Sequence, residues 1–213
     1  MSDFESASAP APNVAPQRRS RQAMLDRIRS RQLPAAALPD VDEAKLVQYD
    51  DLVHTFVDAA ELVGAAVHCC DSVDDVNQWL RGNDSFRDAQ CTASTVTGVE
   101  GNFDPASVSS ARDLASLEWM VIRGRWGVAE NGAIWVPADE VHDRAQVFIT
   151  QHLVIVLSQQ DLVPHMHAAY QRLGRFDGYG VFVSGPSKTA DIEQSLVLGA
   201  HGCRTLTIFL TAK

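Results

Sequence analysis

The sequence predicts an α/β domain whose mainly parallel sheet is flanked by helices. Three observations carry that prediction. Several short runs are apolar at every position, residues 153–157 and 206–210 among them, which suits strands buried on both faces. Between the strands stand stretches with helical spacing, such as Leu46, Tyr49, Val53, Phe56, Val57, Ala60 and Val63. The chain has 213 residues, 46% hydrophobic and 21% charged, enough for one full core plus an extension.

The elements follow in order. Residues 1–17 hold ten Ala, Pro or Ser, cannot offset their ordering entropy, and are predicted to be disordered. Residues 18–39 read as an arginine-rich helix and linker. Arg18, Arg19, Arg21, Arg27, Arg29 and Arg31 accompany Met24, Leu25 and Ile28 at helical spacing, with Ser20 as N-cap and Pro34 and Pro39 as punctuation. Residues 40–213 then form the main domain. Its first helix is followed by a strand at 65–70 and a short helix that Ser72 and Asp75 open as a capping box. Asp104-Pro105 predicts a helix running to about Leu114. Strands at 118–123 and 133–137 surround the turn-rich Gly127-Val128-Ala129-Glu130-Asn131-Gly132. A buried strand at 153–157, a helix at 161–173, a strand at 178–183, a helix at 189–199 and a last strand at 206–210 complete the reading.

Charge and composition exclude several classes. The net charge is −9 and the pI near 5.1, unsuited to a nucleic-acid surface, which needs clustered positive charge. Residues 1–31 carry six basic and three acidic groups, +3, which leaves −12 for residues 32–213. No run is long and apolar enough for a membrane span, and Ala, Pro and Ser stand where a signal peptide needs an apolar core. A soluble, cytoplasmic protein is expected. The four cysteines include the adjacent Cys69 and Cys70 but no Cys-x-x-Cys pair, so no zinc or iron–sulfur site is expected in this chain.

The chemistry concentrates in Ser184-Gly185-Pro186-Ser187-Lys188-Thr189, where an apolar strand stops at a small-residue loop. Read as a strand–loop–helix joint, it offers an anion free N–H groups, the hydroxyls of Ser184, Ser187 and Thr189, and the Lys188 ammonium. Lys188 stands out because the chain has three lysines against fifteen arginines. Asp191 would pair with that lysine or hold a ligand hydroxyl. The same joint also reads as a capped loop with a solvated lysine.

Ser184-Gly185-Pro186-Ser187-Lys188-Thr189-Ala190-Asp191-Ile192-Glu193, followed by Leu196-Val197-Leu198-Gly199-Ala200-His201-Gly202, resembles the signature of the LUD-domain proteins of the LutC/YkgG type. The resemblance extends over most of residues 40–213. It implies a fold similar to the NagB/RpiA/CoA-transferase group and a role in L-lactate utilisation. It further implies LutA- and LutB-like iron–sulfur partners, with no cofactor in this chain, in a system that oxidises L-lactate to pyruvate. His201 belongs to the same signature and is a candidate for acid–base work, helix capping being the alternative. Ala129-Glu130-Asn131-Gly132 is similar to the Ser-Glu-Asn-Gly motif of CoA-transferases, with alanine in place of serine. Glu130 is thus the second catalytic candidate, and Asn131 joins Ser184, Gly185, Ser187, Lys188, Thr189 and Asp191 as ligand-binding candidates. A small carboxylate is the expected ligand, held at the carboxyl edge of the sheet with no metal. Two rivals stand beside this reading: a non-catalytic ligand-binding or assembly module, which leaves a homo-oligomer open, and an acyl-transfer enzyme using Glu130. His165 and His167 make a poor metal pair, Trp119, Trp126 and Trp135 wall a pocket or fill the core, and Arg123 and Arg125 bring charge to a turn.

Overall fold

The computed structural model describes residues 15–31, 33, 41–190 and 196–212. The chain falls into two units, one ending at Leu46 and the other beginning at Val47. In the first, α1 spans Ala15–Arg29. It starts earlier than the sequence suggests, so Ser20 lies within the helix. Residues 15–17, expected in the disordered tail, are its first turn, where proline such as Pro16 is tolerated because its missing N–H has no helical partner anyway. Residues 1–14 of the predicted tail, with Pro34 and Pro39, lie outside the described residues.

The second unit is built on a five-stranded sheet made of β1 (Ala66–Cys70), β2 (Thr92–Ser94), β3 (Trp119–Arg123), β6 (His152–Ser158) and β11 (Thr205–Thr211). Their order is β1-β11-β6-β3-β2, and every neighbouring pair is parallel. Alternation along the strands divides two clusters. Trp119, Val121, Val154, Val156 and Phe209 face Val76 and Leu80 of α3 (Val73–Gly82), beside which the short α4 (Asp84–Arg87) packs Phe86. On the other face Met120, Ile122, Leu153, Ile155, Leu206, Ile208 and Leu210 meet Phe56 and Ala60 of α2 (Leu52–Leu62).

That second face is also covered by a sheet that no single run of residues announces. It consists of β4 (Trp126–Val128), β5 (Ala133–Pro137), β7 (Leu162–Val163) and β8 (Gly180–Val183) in the order β7-β4-β5-β8. β4 pairs β7 in parallel, and β5 runs antiparallel to both β4 and β8. Its inner side adds Ile134 and Val136 to the α2 cluster. Its outer side, with Trp126 and Trp135, packs on Ala169 of α6 (Met166–Leu173). One turn of helix, α5 (Gln146–Ile149), leads into β6.

Three predicted helices change form. From Asp104 the chain makes an Asx turn, Asp104 Oδ1 accepting from the Ala106 N–H at 2.9 Å, and regular structure is confined to a 3₁₀ turn at Ala111–Leu114. Ser107 and Ser109 hydrogen-bond Asp104 and Asp113 here, offering the backbone an alternative to a helix. The helix expected over 161–173 is divided into a 3₁₀ turn, β7, and α6 from Met166. Of the helix expected over 189–199, residues 191–195 lie outside the described residues, and those on either side form two antiparallel strands, β9 (Lys188–Ala190) and β10 (Leu196–Leu198). Segments as short as three residues fit either period, and pairing between the two strands decides for extended structure. Among the described residues no helix is long and apolar enough to cross a membrane.

Candidate functional site

Two loops meet beside α2. The first is the β4–β5 turn. Asn131 Oδ1 accepts from the Ala133 N–H at 3.1 Å, closing an Asx turn, and Gly132 follows with φ +64°. Gly132 lies so close to α2 that a Cβ there would stand 2.6 Å from the Cα and N of Ala60. Only glycine suits both the conformation and the contact. Ala129, where the CoA-transferase motif has serine, is fully buried and donates its N–H to the Val163 carbonyl at 2.9 Å.

The second loop, Ser184 to Ser187, joins β8 to β9. Ser184 Oγ donates to the Asn131 carbonyl at 3.0 Å and ties the loops together. Gly185 has φ +70°, and a Cβ there would strike the Val63 carbonyl oxygen. The Ser187 N–H donates to the Cys203 carbonyl at 2.9 Å, while the Ser187 carbonyl accepts from the Gly199 N–H at 3.0 Å. The predicted helix N-terminus is therefore absent from the anion reading, and this backbone donor is already engaged. Lys188 and Thr189 sit in regular structure, not in the loop. The Lys188 ammonium donates to the carbonyl of Val63, the residue that ends α2, where the helix dipole is negative.

The loop borders a cavity of about 480 Å³. Ser184, Gly185, Ser187, Lys188 and His201 all line it, with an apolar wall that includes Val63, Val147, Phe148, Val181 and Val183. Thr189 does not, being paired with Val197 across the hairpin, and Asp191 lies outside the described residues. Cys203, which the sequence leaves standing alone, is a buried part of the lining. Burial pushes its thiol pKa up, against the opposing pull of the Ser187 backbone and the Lys188 charge. Its position directly after His201-Gly202 was the available signal.

The cavity lies at the opposite edge of the main sheet from the one expected. Val63 precedes β1, Phe148 precedes β6 and Cys203 precedes β11, so this is the amino edge of the parallel strands. The carboxyl-edge rule applies to strands of the parallel sheet, whereas β8 belongs to the second sheet and runs antiparallel to β5.

Glu130 is exposed, and its carboxylate faces α6. Oε2 accepts from the N–H of Met166, the first residue of that helix, at 2.9 Å, and Glu130 is not part of the cavity lining. His165 caps the same helix, Nδ1 accepting from the Ala168 N–H at 3.1 Å. Its ring centre is 6.3 Å from that of His167. Among the described residues no group of three or more His, Cys, Asp or Glu is gathered as metal ligands would be. The charge foreseen from Arg125 is engaged elsewhere, by Asp139 and Glu140 at 2.9 Å each. The tryptophans fill the core: Trp119 stacks on His152, and Trp126 on Trp135.

A parallel α/β core carrying this hairpin and this loop defines the class, and residues 106–211 match the model of the LUD-domain family. Among the chain's relatives is Lactate utilization protein C of Bacillus pumilus, 32% identical over 47% of this chain and 45% of that protein. The protein of the same name from an Exiguobacterium species is 33% identical over 52% of this chain and 51% of that one. The matched segments thus span about half the length of these relatives. The crystal structure of a DUF162 family protein from Deinococcus radiodurans shares the fold, with a TM-score of 0.55 at 13% identity over 81% of this chain and 99% of that one.

Proposed function

We propose that this protein is a cytoplasmic, LutC-like component of a lactate utilisation system, and that its LUD domain binds a small carboxylate in the loop cavity. Lys188 supplies the charge and Ser187 a hydroxyl, with His201 at the rim. Oxidation of L-lactate to pyruvate then relies on LutA- and LutB-like partners carrying iron–sulfur clusters. The observation that supports this most is the convergence of Lys188, Ser187 and His201 on one cavity. An ammonium has three donors and the Val63 carbonyl uses one of them. Calorimetric titration of the full chain with L-lactate tests the reading. Lys188→Ala is expected to weaken binding by about 1–3 kcal/mol, the worth of a charge-assisted hydrogen bond. Unchanged affinity would overturn it.

One observation favours the assembly-module reading instead: Glu130 and Lys188 both hold helix ends, α6 and α2 respectively. Growth on L-lactate, restored in a deletion strain by the Glu130→Gln, Lys188→Ala double variant, would decide for that rival. For acyl transfer, Glu130 must leave the Met166 N–H to reach a thioester, and trapping a Glu130 acyl adduct with hydroxylamine would establish it.

A further inference from the structure

The cavity beside Lys188 is larger than a three-carbon acid requires. Lactate has about six non-hydrogen atoms, whereas hollows of roughly 300–1,000 Å³ are the usual size for drug-sized ligands. A second hollow, of about 490 Å³, adjoins the first and shares Phe148, His201 and Gly202 with it. These three residues form a common rim. Beyond the rim the wall is formed by Ala145, Ile149, Thr150, Gln151, Gly199 and Ala200, with no charged side chain. The Thr150 hydroxyl is turned to the carbonyls of Glu118 and His152, at 3.0 and 3.1 Å, so it adds little polarity to the hollow. Phe148, at the rim, leaves 41% of its surface in water. The one ammonium thus stands at one end, and the other end offers the apolar Ala145, Ile149 and Ala200 beside the neutral amide of Gln151.

We infer that the site takes an amphipathic hydroxy acid with a hydrocarbon body of roughly six to ten carbons, its head at Lys188 and its tail passing over Phe148 into the second hollow. The inference rests on the reading of Lys188 as the head-group cation. Physically, a short acid leaves Phe148 and the apolar wall wet, whereas each methylene buried there adds about fourfold in affinity.

The experiment is a calorimetric ladder on the full chain with L-lactate, α-hydroxyhexanoate and α-hydroxydecanoate. Affinity is expected to rise by about tenfold or more at each step, fewer methylenes than the full count being completely buried. Ala200 lines the second hollow and not the first, so Ala200→Trp, which puts an indole there, should abolish the last step alone. Lys188→Ala should weaken all three acids by one common factor. A ladder that is flat beyond lactate, or a last step that survives Ala200→Trp, overturns the extended site while the Lys188→Ala effect on lactate stands. Loss of that Lys188→Ala effect overturns the head-group reading itself. Binding of none of the three acids overturns both.

Discussion

Gly132→Ala tests how the hairpin is held against α2. Alanine at φ +64° enters the left-handed region, at a cost of about 1–2 kcal/mol. Its Cβ would also stand 2.6 Å from the Ala60 Cα and N and 3.0 Å from the Ala59 carbonyl carbon. These are backbone atoms of a helix packed in the core, so relief requires the hairpin to move, which adds about 1–3 kcal/mol of overpacking. A loss of about 3 kcal/mol lowers the Tm of a domain this size by about 6–12 °C. Movement of the turn would also loosen the Ser184–Asn131 and Glu130–Met166 hydrogen bonds, so both loops respond together. Thermal unfolding by circular dichroism measures the effect, with Gly82→Ala as control. Gly82 ends α3 with nothing within 4 Å of an added Cβ, and alanine there should be neutral or slightly stabilising. A Gly132→Ala protein melting within about 1–2 °C of the parent would refute the reasoning.

Two further outcomes are expected. Burial, aided by the nearby Arg204 and opposed by Glu118, holds the His152 pKa below its ordinary 6.5, so its neutral form supports the fold above that pH. The support is lost as pH falls through the lower folded value, because the unfolded chain takes up the proton first; His152→Asn should flatten the fall in Tm between about pH 7.5 and about pH 5. An equally steep fall in the variant would count against this. Cys69 is exposed, Cys91 and Cys203 are buried, and burial together with Asp75 raises the Cys70 pKa. Ellman's reagent should therefore meet one fast thiol in the native protein, removed by Cys69→Ser; a fast phase that persists would show that another thiol is open to the reagent.

Elements whose logic is local were legible in the sequence. The strands β3, β5, β6 and β11 are apolar runs flanked by turns, and the capping box of Ser72 and Asp75 closes within three residues. The Asn131-Gly132 turn likewise carries its own conformational demand. The loop Ser184–Ser187 and its lysine could be singled out by residue type, though their partners could not. Lys188 meets Val63 across 125 residues and Glu130 meets Met166 across 36. The sequence by itself determined which segments are buried and where the chain must turn, because those choices rest on side-chain hydrophobicity and backbone sterics near each residue. Only the tertiary structure decided that β8 joins a second sheet, that residues 188–198 include a hairpin, and which edge of the parallel sheet the cavity occupies. Strand pairing is set by which distant surfaces bury one another, and a short apolar run suits more than one partner.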